Sequence, residues 1–71
     1  MNSKVLTKRE KEVFELLVLN NTTKEIAEKL KISEKTVRNH ISNAMQKLGV
    51  KGRAGAVVEL IKLNEISINM W

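Results

Sequence analysis

Only Lys31 and Ile32 lie between Leu30, the last apolar position of one helical pattern, and Ser33, a residue type that favours the start of another. A junction that short makes two helices cross steeply, which is the geometry of a helix-turn-helix. A steep crossing needs a small residue at the point of closest approach. Ala27 fills that place, and Ile26, Leu30, Ile32, Val37 and Ile41 supply apolar contacts around it. The turn position after them is Lys31 where glycine is common, so Lys31 is expected in a tight, left-handed conformation that L-residues seldom adopt. Ile32 beside it is expected to point inward and anchor the turn.

The rest of the chain carries matching punctuation. Thr7 with Glu10 forms a T-x-x-E capping box, in which each side chain satisfies an orphan backbone donor, and Leu6 is placed to act as a hydrophobic staple. Val13, Phe14, Leu16 and Leu17 give a helical apolar face, and Asn20-Asn21 is a turn signal, so a first helix is expected over about 8–19. Thr22 with Glu25 repeats the box and opens a second helix over about 23–30. Ser33 caps a third over about 34–48, which stops at Gly49, a residue suited to the left-handed position after a helix. A fourth is expected over about 53–63, with Gly55 in its first turn costing about 1 kcal/mol relative to alanine. Asn64 is its expected stop, and an apolar tail follows over 64–71, ending in Trp71. Residues 1–71 are thus expected to form a single all-α domain of four helices.

Composition excludes several classes. A chain of 71 residues is short, and domains of this size bury only about 60% of their unfolded surface, so an efficient core or association with another chain is required. There is no cysteine, and the one histidine, His40, does not make a metal site. His40 falls on the flank of the third helix and is read as a packing residue. The longest apolar run, Leu16 to Leu19, is far below the roughly 20 residues that span a bilayer. No signal peptide is visible, so a cytoplasmic location away from membranes is expected. Paired acid and base, a nucleophile beside a histidine and a phosphate-cradling glycine loop are all missing. No enzyme activity, catalytic residue, metal or cofactor is therefore expected.

Charge points to a partner. The net charge is +5, with 13 basic residues and 8 acidic ones. The excess sits in the middle third, where Lys31, Lys35, Arg38, Lys47, Lys51 and Arg53 face a single acid, Glu34. Such a cluster reads as a polyanion-binding face. At about 100° per residue, Val37, Ile41, Ala44 and Leu48 form the core stripe of the third helix. Lys35, Arg38, Asn39, Ser42 and Gln46 form the opposite stripe, where every side chain can hydrogen-bond and none is acidic. Arginine can pair with both acceptors of guanine and asparagine with both groups of adenine. The first helix, by contrast, carries Glu10, Glu12 and Glu15, as an ordinary solvated face does.

Taken in order, Leu6-Thr7-Lys8-Arg9-Glu10, Lys24-Glu25-Ile26-Ala27, Ser33 through His40, Lys47-Leu48-Gly49-Val50 and Arg53 resemble the LuxR-type helix-turn-helix family over about residues 6–63. The run from Ile32 to Arg53 closely resembles a short regulator of spore formers made of this domain alone. The resemblance implies four helices, with the third in the major groove and the fourth in a two-fold dimer interface. It implies base contacts at Arg38, Asn39 and Ser42, and phosphate contacts at Lys35, Thr36 and Lys47. It also implies activation and repression of late sporulation genes, spore-coat genes among them, in the mother cell.

The fourth helix offers Val57, Val58, Leu60, Ile61 and Leu63, more apolar surface than one face of a small domain needs. Part is expected to complete the core, and Val58, Ile61 and Lys62 to meet a second copy. The expected partners are double-stranded DNA, that second copy and RNA polymerase. A rival reading is a basic helical module that docks an acidic protein such as RNA polymerase. Sequence-selective binding to duplex DNA separates the two.

Overall fold

The computed structural model describes residues 6–63. Four helices follow one another, α1 (Lys8–Val18), α2 (Thr23–Leu30), α3 (Glu34–Leu48) and α4 (Arg53–Lys62), and no strand occurs among the described residues. The first five residues lie outside them, as do the expected stop at Asn64, the apolar tail and Trp71.

Local chemistry accounts for the starts of three helices. The Thr7 hydroxyl accepts the Glu10 N–H at 3.1 Å, and Glu10 accepts the Thr7 N–H at 2.9 Å. Thr22 and Glu25 repeat the exchange at 3.1 and 2.8 Å. Ser33 accepts the Thr36 N–H at 3.0 Å. Each cap satisfies one of the donors that a helix start leaves without an internal partner. The residue four places after Thr7 is Lys11, which gives Leu6 no apolar staple partner on α1. Leu6 is instead buried in the core cluster.

The ends of these helices share a device as well. Asn20, Lys31 and Gly49 all have positive φ, at 70°, 60° and 69°. The N–H of the residue after each reaches back to the helix, from Asn21 to Leu16, Ile32 to Ala27 and Val50 to Met45. This is the Schellman closure, in which one left-handed residue lets the next amide satisfy an orphan carbonyl. Lys31 does so without glycine, with ψ at 45°, and the chain turns at once into the Ser33 cap. First-helix geometry ends at Val18, one residue before the sequence expectation, because Leu19 already caps it.

Apolar stripes then fix the packing. Val37, Ile41 and Ala44 of α3 are buried, with Leu48 partly so, and α3 contacts each of the other helices. Val13 and Phe14 of α1, Ile26 and Ala27 of α2, and Ala56 and Leu60 of α4 close around that stripe. Ile32 packs against the cluster from the turn. α3 is therefore the central strut of the fold, and its remaining face is left outward.

Candidate nucleic-acid interface

Since Val37, Ile41 and Ala44 face inward, helical geometry presents the opposite side of α3 to solvent. Lys35, Arg38, Asn39, Ser42 and Gln46 are all exposed there. The side chains are long or polar, and the stripe spans three turns of a rigid helix. Thr36 is half-buried on the flank, its hydroxyl oxygen accepting from Ser33 at 2.9 Å. His40 is half-buried on the same side. Lys31, Lys51 and Arg53, at the two ends of α3 and the start of α4, are exposed as well.

On α3, Arg38 and Lys47 have carboxylate neighbours. The Arg38 guanidinium lies 3.5 Å from Glu34, one turn earlier, with both side chains about half exposed. A contact of that length in water holds the guanidinium along the helix while leaving it free to exchange for another acceptor. The i, i+4 spacing of Glu34 and Arg38 makes this pair legible in the sequence.

Lys47 is held more firmly. Its ammonium donates to Glu10 Oε1 at 2.8 Å, and that oxygen also accepts the Thr7 N–H. Glu10 is 4% exposed, the one charged residue buried among the described residues. Burial by itself raises the carboxyl's pKa. The hydrogen bonds from Lys47 and Thr7, together with the Lys47 charge, outweigh that and hold the group below its ordinary value. A carboxyl lowered in the folded state stabilises above its unfolded pKa, and that contribution is lost as pH falls through the folded value. No pattern of spacing along the chain announces a pair of residues 37 positions apart; only the packing of α1 on α3 creates it.

On α4, Leu60 and Ala56 are buried, and Val57 and Ile61 are half-buried against the core. Val58 is 52% exposed and Leu63 47%. Lys62 is exposed one turn after Val58. Of the three residues expected to meet a second copy, Val58 and Lys62 thus stand outward and Ile61 lies between them and the core. No group of residues that could hold a metal ion occurs among the described residues, and no helix there is long and apolar enough to cross a membrane.

Comparison with known proteins gives the same geometry a family context. Residues 4–60 match the model of a family described as bacterial regulatory proteins, luxR family. The spore germination protein GerE of Bacillus subtilis is 73% identical over 64 residues, which cover 90% of this chain and 86% of that protein. The transcriptional regulatory protein DegU of Brevibacillus brevis is 52% identical over 58 residues, 82% of this chain but only 25% of the relative. The solved structure of the transcription factor GerE superposes with a TM-score of 0.91 at 59% identity, covering 93% of this chain and 98% of that one. The response regulator ChrA of a heme-sensing two-component system superposes at 0.82 and 32% identity, and the match takes in 33% of its length.

Proposed function

We propose, from the premise that the chain belongs to the luxR family of bacterial regulatory proteins, that this DNA-binding transcription regulator reads duplex DNA as a two-fold dimer and controls late sporulation genes, spore-coat genes included. The family is one of regulators and not of enzymes. Its work is done by binding, and the chemistry required is hydrogen bonding to base edges together with neutralisation of phosphates.

The observation that carries the reading is the outward stripe of α3. In it Arg38, Asn39 and Ser42 read bases in the major groove, while Lys35 on the open face and Thr36 and Lys47 on the flank touch phosphates. Exchange of Arg38 from Glu34 to a guanine edge leaves the rest of the helix in place. α4 carries the dimer contact, through Val58, Ile61 and Lys62. Two recognition helices related by a two-fold axis then meet half-sites about one helical turn, or 34 Å, apart. Its activity follows its own concentration and its contact with RNA polymerase, in the cytoplasm of the mother cell.

The test begins with selection of duplexes from a random-sequence library by the purified protein. Fluorescence anisotropy then compares the selected duplex with its scrambled counterpart over a salt series. A preference of about 10³-fold or more is expected. Arg38→Ala should cost about 1–3 kcal/mol on the selected duplex and relax preference at one base pair in each half-site. Equal, steeply salt-dependent binding to every duplex would leave only a basic surface and promote docking to an acidic protein.

A further inference from the structure

Two capping boxes in this chain make the same local hydrogen bonds, and only one of them has a buried carboxylate. Thr22 and Glu25 exchange bonds at 3.1 and 2.8 Å while both are exposed. Thr7 and Glu10 do so at 2.9 and 3.1 Å with Glu10 4% exposed. Capping therefore does not require the burial of a carboxylate, which carries a desolvation cost that only good partners offset. The extra partner at Glu10 is Lys47, in the last turn of α3.

We propose that Glu10 is a positioning residue of the DNA interface. One oxygen of its carboxylate ties the backbone of the α1 cap to the Lys47 ammonium, and so fixes both the seat of α3 on α1 and the place of that ammonium at the rim of the DNA-facing surface. The inference rests on the DNA-reading role of α3 argued above. Thr7 N–H and Lys47 Nζ converge on Oε1 from 2.9 and 2.8 Å, so the lysine head is referred to the main chain of another helix through a single atom. The Lys47 side chain remains 39% exposed, and an ammonium has three donors, so the bond to Glu10 leaves a solvent side for a phosphate oxygen. Pairing also cancels much of the Lys47 charge. Lys47 accordingly contributes placement more than counterion release, unlike Lys35 on the open face.

Glu10→Gln tests this, because glutamine serves a capping box as glutamate does and keeps the side-chain size. Binding to the library-selected duplex and to its scrambled counterpart is measured over a salt series, with circular dichroism setting the folded fraction. Selectivity should fall about threefold to tenfold, within the range for residues sharing one hydrogen-bond network. The salt dependence on scrambled duplex should steepen by up to about one counterion as Lys47 regains its full charge. In a Lys47→Met background the same change should have no further effect on selectivity. Lys47→Met alone should lower selectivity by a similar factor, whereas Lys35→Met should weaken both duplexes alike and flatten the salt dependence. If Glu10→Gln fails to fold, the contrast between these two lysine variants decides.

A lower melting temperature with unchanged selectivity and salt slope would overturn the proposal, leaving the pair as a staple of the fold. Loss of selectivity in both lysine variants alike would overturn it too. Failure of the wild-type protein to select any duplex is a different result, and it strikes the DNA-reading role itself.

Discussion

Where α1, α2 and α3 each start on a hydroxyl side chain and finish on a left-handed residue, α4 starts on Gly52 with no side-chain cap and has no acid in its first turn. It also carries Gly55 near its start. Without a side-chain cap and with a glycine in its first turn, α4 has less stability of its own than its length alone would give. The first three helices are written into local sequence, and the fourth is held by what it packs against. That division matches their proposed tasks. A helix-turn-helix must present one rigid face to DNA, whereas a helix that meets a second copy can draw part of its order from that meeting.

The sharpest way to break this contrast is at Leu60, fully buried where α4 meets the core. Leu60→Ala removes buried methyl groups and leaves a cavity, for an expected loss of about 2–5 kcal/mol in urea denaturation. Hydrogen exchange should show the α4 amides losing protection before those of α2 and α3. A loss under about 1 kcal/mol, or uniform loss of protection, would mean that α4 is not held by tertiary contact in the manner described.

A smaller effect is expected at Thr22, whose cap acts on α2 alone. Thr22→Ala should cost about 1 kcal/mol, because it strips one acceptor from an orphan donor and frees Glu25. Equal sensitivity at Gly52, which offers no hydroxyl to lose, would dissolve the distinction between the two kinds of helix start. Thermal denaturation of Thr22→Ala beside Gly52→Ala makes the comparison directly.

What was legible in the sequence follows the same line. The capping boxes, the two-residue turn and the left-handed places at Lys31 and Gly49 depend on neighbours within a few residues, and chain order displays those. The outward stripe of α3 was legible because helical periodicity is also local. The capping role of Glu10 is legible in the sequence, but its place on a solvated face beside Glu12 and Glu15 is not borne out: it is buried, and its bond to Lys47 exists only once α1 lies on α3. The apolar surplus of α4 was visible as composition. Its division into buried Leu60, half-buried Ile61 and exposed Val58 is a property of packing, and no count of residues assigns it.

The last and smallest effect concerns Gly55, and it should have the opposite sign. A Cβ built there would sit 3.6 Å from Val50 Cβ and 3.8 Å from its Cγ1, which is ordinary van der Waals contact. The residue lies in helical conformation at a position where glycine gives up more backbone freedom on folding than any other residue. Gly55→Ala should therefore raise stability by about 0.5–1 kcal/mol, with the gain coming from the unfolded chain and from a weak contact to Val50. The shift belongs to α4, so its amides should gain protection while those of α1 stay as they were. A destabilised variant would mean that the α3–α4 connection needs closer approach than alanine permits. α4 would then be weak by steric requirement and not by want of local signals.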